Sequence, residues 1–483
     1  MPTPLRTCSI LFAFVFAFAG MIGAQGTSPG TSPSPEQQAF QAEQARIYAG
    51  NRADYDNMLA QLGLTRDQMR PGVDGYGKGP HPVNYDESKV PPYILPDPLV
   101  LPNGKPVRTP QQWWTQRRPE LLHLLEDSMY GRIPDHTPSV HWTVTSTANS
   151  TVSGTEAVTQ KLTGHVDNSA DPAITVDIDV ELTLPAHSKG KVPVIIAFDW
   201  PPSFWAEISK RTGRPMPAHT GPTAREEALA KSWGYALLVP TSVQADNGAG
   251  LTAGIIGLTN HGAHRTPDQW GALRAWGWGA SRLLDYFETQ PNIDAHRIGI
   301  FGHSRYGKAA LVTMAFDPRF AAGYISSSGE VGAKLSRRGW GELVENVASD
   351  GEYHWMAGNF LRYASTKTAN DLPVDAHDLI AVCAPRAVFL SAGTQTAGDG
   401  WVDAKGIFLA GAAASPVYQL LGTQGLGTTT MPPTLTEVGN GPLAFRQHAE
   451  GHTPAPNWPF FLDFMQRELY GLDFALNLKA QQH

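Results

Sequence analysis

Five short, uninterrupted apolar runs constrain this chain more than any other feature: 192–198, 235–240, 297–301, 322–326 and 386–391. Runs of this length without polar alternation suit strands buried on both faces, which occur in parallel sheets covered by helices. Residues 174–184 behave differently. There Ile174, Val176, Ile178, Val180, Leu182 and Leu184 alternate with Thr175, Asp177, Asp179, Glu181 and Thr183, the pattern of a half-buried antiparallel strand. Helical spacing separates the later runs, most clearly over 269–287, where Trp270, Leu273, Trp276, Leu283, Leu284 and Phe287 share one face. Antiparallel strands first, then alternating strands and helices, predict a single α/β body over 91–483. Its central sheet is expected to be largely parallel, with helices on both faces and antiparallel strands at the N-terminal edge.

Composition narrows the function. Hydrophobic residues make up 41% of the 483, which excludes a disordered chain. A net charge of −7, from 37 basic and 44 acidic residues, argues against a surface that coats nucleic acid. Residues 1–24 read as an export signal: Arg6 supplies positive charge, Ile10 to Ile22 is uncharged and apolar, and Gly23-Ala24 offers small residues for cleavage. That apolar stretch is shorter than the about 20 helical residues a membrane span requires, so no membrane anchoring is expected. A secreted or periplasmic protein is expected, and cleavage would remove Cys8 and leave Cys383 alone in an apolar setting, a small core residue without a disulfide. Residues 25–90 read as a linker followed by a helical and irregular extension. Gly75, Gly77 and Gly79 form a glycine string there, but with no preceding strand it is not a phosphate-binding loop.

The sharpest local signal is Gly302-His303-Ser304-Arg305-Tyr306-Gly307-Lys308, placed between the run 297–301 and an apolar helical stretch. A buried strand running through Gly-x-Ser-x-x-Gly into a helix is the context that exposes a nucleophilic serine above an α/β-hydrolase sheet. The helix N-terminus adds N–H donors for an oxyanion. A serine nucleophile needs a base, and the base needs an orienting acid, in the chain order serine, acid, histidine. His452, in a loop beyond the last strand-like segment, fits the base. For the acid, Asp399, Glu330 and Asp403 all follow late strands and stay open on pattern alone. His261 and His264 have a spacing seen at metal sites, but no third ligand accompanies them, so no metal is expected.

These residues resemble carbohydrate esterase family 15, the glucuronoyl esterases. The resemblance lies in Gly302 to Leu311 and extends through Leu95 to Leu99, Trp113-Trp114, Tyr130 to Arg132, Trp355, Gly400-Trp401 and Gly451 to Pro454. It implies an α/β-hydrolase that uses no cofactor and cleaves esters joining (4-O-methyl-)glucuronate on xylan to lignin alcohols. Carried over, Ser304 is the nucleophile, His452 the base, and Arg305 the cation facing the oxyanion. Lys308, Trp401 and Glu345 would hold the sugar. Fungal members carry a glutamate where this chain has Ser327, while bacterial members use an acid two residues before the sugar-contacting tryptophan, which implies Asp399. Such a chain is expected to act as a monomer on glucuronoxylan or lignin–carbohydrate esters. Two rival readings are an acetyl or feruloyl esterase acting on hemicellulose, and a carbohydrate-binding protein with a degenerate triad, motivated by Ser327.

Overall fold

The computed structural model describes residues 34–75, 79–212 and 221–470; the export signal read at 1–24 and the start of the linker lie outside them. Ten strands form one sheet: β1 (Val140–Val152), β2 (Thr155–Val166), β3 (Asp177–Pro185), β4 (Val192–Phe198), β5 (Gly234–Leu238), β6 (Ile293–His303), β7 (Ala322–Ser326), β8 (Ala387–Ala392), β9 (Glu437–Val438) and β10 (Leu443–Gln447). Their order is β1-β2-β3-β5-β4-β6-β7-β8-β10-β9. β1, β2, β3 and β5 pair antiparallel, and the five pairings from β5 through β10 are parallel. Every residue of β4, β7 and β8 is buried, as expected for strands covered on both faces. β3 alternates along most of its length and then buries three consecutive residues, Leu182 to Leu184, as it enters the body.

The principal helices are α1 (Pro35–Leu62), α2 (Ala272–Glu288), α3 (Arg305–Phe316), α4 (Ala404–Leu420) and α5 (Trp458–Tyr470). α1 starts where Ser34 and Gln37 exchange a reciprocal capping pair and ends at Gly63, whose φ of 69° suits glycine. Its Tyr55, Met58, Leu59 and Leu62 enter the same buried cluster as the sheet's apolar residues. α2 buries the stripe its spacing announced, including Trp270 just ahead of it and Trp276, Leu283, Leu284 and Phe287 within it. α5 closes the other face, where Trp458, Phe461 and Phe464 meet Tyr324 and Phe389. Among the described residues no helix is long and apolar enough to cross a membrane.

Parallel strands put their carboxyl ends on one edge, where open α/β sheets hold ligands. The loops after β5, β6, β7, β8 and β10 therefore converge, and the turn from β6 to α3 sits at their centre. A methyl group on Gly302 would lie 1.9 Å from the Tyr306 carbonyl oxygen, so backbone packs directly on backbone there. Gly302→Ala is expected to lower the unfolding free energy by about 3 kcal/mol, at the upper end for overpacking because the obstacle is main chain. Thermal and urea denaturation against the parent protein measure it.

Candidate active site

Ser304 stands between β6 and α3 with φ 58° and ψ −128°, a positive φ that a non-glycine residue adopts only under constraint. The constraint is local: Ser304 N donates to Ser326 O at 2.9 Å, and the Gly302 and Gly307 approaches leave no room for another path. Half-exposed Ser304 thus sits at the tip of the turn, at the head of a twelve-residue helix. The first N–H groups of a helix lack intrahelical acceptors and face outward from that end.

His452 reaches the turn from the loop after β10. Its ring lies 4.3 Å, centroid to centroid, from that of His303, the residue before the serine. Nδ1 of His452 is 2.6 Å from Asp399 Oδ1, with the aspartate fully buried and the imidazole partly exposed. Asp399 has further support: Ser327 Oγ donates to its Oδ2 at 2.8 Å and Gly393 N at 2.6 Å. Ser327, itself at φ 44°, therefore serves a carboxylate delivered from the neighbouring strand. Burial, followed by the neighbouring His452 and His448, holds His303 well below the ordinary histidine range, so it is neutral beside His452.

The other two acids considered for this role are engaged elsewhere. Glu330 accepts from Lys334 Nζ at 2.6 Å and from the Ser336 hydroxyl, both pair members fully buried. Burial pushes its carboxyl up against the pull of Lys334. Asp403 caps α4 through Gly406 N at 3.0 Å and takes Arg338 Nε at 2.8 Å. His264 bonds Asp54 of α1 at 2.5 Å, and among the described residues no group of His, Cys, Asp or Glu is arranged to hold a metal ion.

Two cations flank the serine. Arg305 Nη1 donates to Asp246 Oδ2 at 2.9 Å, and Lys308 Nζ to Glu342 Oε2 at 2.8 Å and to the Glu330 carbonyl at 2.6 Å. Both lie 5.6 Å from the centre of the Trp355 ring. The glutamate beside Lys308 is thus Glu342, three residues ahead of Glu345. Glu345 instead takes two bonds from Arg70, at 2.9 and 2.8 Å. Half-buried Trp401 joins this wall: its carbonyl accepts Glu342 N at 2.9 Å, and Gly75 is packed so tightly on its ring that a methyl there would stand 2.9 Å away.

Glu352 is a further carboxyl of this wall that sequence pattern did not single out. Burial and the Glu342 charge push it up to about 8, only partly offset by Lys308 and Arg305. Neither Glu342 nor Glu352 carries a motif. The one signal in the sequence is the density of acids between two segments already tied to the site, the turn at Ser304 and Trp355.

Comparison with known proteins identifies the family. Residues 261–422 match the family model described as glucuronyl esterase of fungi. The structure of a family 15 glucuronoyl esterase from Teredinibacter turnerae T7901 is 44% identical, with a TM-score of 0.80, covering 86% of this chain and 99% of that one. A carbohydrate esterase from an unknown prokaryotic organism is 32% identical over 439 residues, 86% of this chain and 98% of its own. The 4-O-methyl-glucuronoyl methylesterase of Cerrena unicolor is 28% identical over 347 residues, 70% of this chain and 63% of that protein. With its fold, its serine turn and relatives matched over nearly their whole length, the chain belongs to carbohydrate esterase family 15, the glucuronoyl esterases.

Proposed function

We propose that this carboxylic ester hydrolase cleaves esters between (4-O-methyl-)glucuronic acid on xylan and lignin alcohols, with Ser304, His452 and Asp399 as its triad. The observation that carries the reading is the pairing of a supported His452–Asp399 dyad with the Lys308–Glu342 pair one helical turn beyond the serine. A hydrolase for acetyl or feruloyl groups has no use for a charged polar wall at that distance. A sugar ring does, because its hydroxyls both donate and accept.

In this mechanism Ser304 Oγ attacks the uronoyl carbonyl carbon while His452 Nε2 takes the hydroxyl proton. Asp399 holds Nδ1–H and stabilises the imidazolium that forms. Arg305 and the N–H groups at the head of α3 face the oxyanion, where a fixed cation is worth more than a neutral donor. His452 then returns its proton to the departing alcohol, and the acyl group stays on Ser304. Water, deprotonated by the same imidazole, attacks the acyl carbon and releases glucuronic acid. Lys308, Glu342 and Trp401 position the sugar, with Glu352 contributing a neutral carboxyl. Export, read from residues 1–24, places the enzyme beside plant polymer, and it acts there as a monomer.

Three measurements test these assignments. Ser304→Ala is expected to lower kcat on benzyl glucuronate at least about 1,000-fold, leaving oxyanion and binding effects; parent-level turnover refutes the nucleophile, and faster parent turnover of methyl ferulate or acetylated xylan refutes the substrate class. Asp399→Asn should lose about 1,000-fold or more, and Ser327→Ala about 10-fold, the worth of one hydrogen bond to a charged acceptor. For Glu352, held up to about 8, the acid is neutral below that pH and ionises beside Glu342 above it. KM for methyl glucuronate is therefore expected to be flat below pH 8 and to climb above it, with the climb abolished in Glu352→Gln.

A further inference from the structure

The loop after β5 brings Asp246 under the site, although it lies far from the serine motif in sequence. Its side chain is 6% exposed and takes three side-chain donors: Arg305 Nη1 on Oδ2 at 2.9 Å, and His354 Nε2 and Trp355 Nε1 on Oδ1 at 2.9 and 2.7 Å. The donors come from two different places in the chain, the start of α3 and the turn Tyr353–Trp355. That turn is itself fixed. The Tyr353 hydroxyl bonds Asp54 of α1, and Trp355 O and Met356 pack on Gly271, where a methyl would meet the Trp355 carbonyl oxygen at 2.1 Å.

Arg305 is a long side chain whose guanidinium would otherwise sample many rotamers, at an entropic cost of up to about 2 kcal/mol when ordered. Here one Nη is pinned from below by a carboxylate that cannot move, and the ring of Trp355 lies 5.6 Å from the guanidinium carbon. A guanidinium has five N–H donors in a rigid fork, so fixing one edge aims the rest. Burial by itself would push Asp246 up, but Arg305, His354 and Trp355 hold it below the usual carboxylate range, so it is an anion at neutral pH. Burial keeps His354 below the usual imidazole range, and among the described residues its Nδ1 has no partner, so a neutral ring donating through Nε2 leaves no N–H unmet.

We propose that Asp246, with His354 and Trp355 as its co-donors, is a positioning residue that sets Arg305 in the orientation it needs to meet the oxyanion. This rests on the reading of Arg305 given above. The carboxylate touches no substrate atom; it acts through the arginine alone. Removing it takes away the carboxylate that fixes one edge of the guanidinium, which harms the transition state and spares binding of the sugar.

The test is a double-mutant cycle on methyl and benzyl glucuronate with the full chain. Asp246→Asn keeps the shape but presents an amide that cannot accept all three donors. It is expected to lower kcat about 10- to 100-fold, the scale of a displaced oxyanion donor, with KM within about threefold of the parent. On an Arg305→Ala background the same change is expected to cost less than about twofold, because there is no guanidinium left to aim. Multiplicative losses in the double variant, or a rise in KM with kcat intact, overturn the proposal. A parent-level kcat for Arg305→Ala instead overturns the oxyanion reading, so the two failures are distinct. If Asp246→Asn does not fold by circular dichroism, Trp355→Phe removes one donor and keeps a ring. It should show a smaller loss in kcat alone, and an unchanged kcat there overturns the proposal.

Discussion

Everything in the site hangs on the backbone contact at the β6–α3 turn. Gly302 meets the Tyr306 carbonyl, Gly307 meets the Ser326 carbonyl, and Ser304 N is tied to Ser326 O at 2.9 Å. A φ of 58° on a serine costs of order 1–3 kcal/mol and persists because the surroundings over-determine it. The same geometry sets where the partners must be. With Ser304 at the tip, the loop after β10 brings His452 and the loop after β8 brings Asp399, and the sheet's parallel pairing delivers both to the same edge.

Charge pairing supplies the second layer of order. Asp246 holds Arg305, Glu342 holds Lys308, Glu330 holds Lys334, Asp375 holds Arg337 and Asp403 holds Arg338, most of them nearly or fully buried. Buried pairs of this kind add little net stability, because desolvation cancels much of the attraction, but breaking one leaves a buried charge unmatched. Their consequence is geometric. The loop after β7 has little regular structure of its own, and these pairs give it one conformation, with Glu342 held on Lys308 and the backbone of Gly341 pressed on Trp401. Residues 70–75 and 79–87 reinforce the wall from outside through Arg70 on Glu345, Asn346 on Val73 O at 2.9 Å, and Glu87 on Arg338.

What was legible in the sequence follows from this division. Strands β3 to β8, α2 and the serine turn obey periodicities and steric rules that act within a few residues, so pattern alone located them. The His452–Asp399 contact was legible in outline, since both lie in loops after late strands, although pattern alone left Glu330 and Asp403 open. The lysine's acid was not legible. Glu342 and Glu345 differ by three residues in a stretch without periodicity, and their tertiary partners separate them: Lys308 takes Glu342 and Arg70 takes Glu345. Asp246 and Glu352 were hidden for the same reason. Their roles are set by neighbours distant in the chain, and nothing in their local sequence marks them. Ser327 looked like a lost acid, whereas its hydroxyl supports the carboxylate that the next strand supplies.

The balance of charge around the serine also bears on turnover. An ester of glucuronic acid is uncharged at the reacting carbon, and the product is an anion. A pocket with Arg305 and Lys308 unopposed would hold that product tightly and slow its release. Here each cation already carries a buried carboxylate, Asp246 or Glu342, which offsets its charge. In the mechanism proposed above, the Arg305 charge is then felt most strongly by the transient oxyanion, which develops close to it. Such pairing surrenders some attraction for the bound acid and keeps the interaction that differs between ground and transition state, the only kind that accelerates the chemical step.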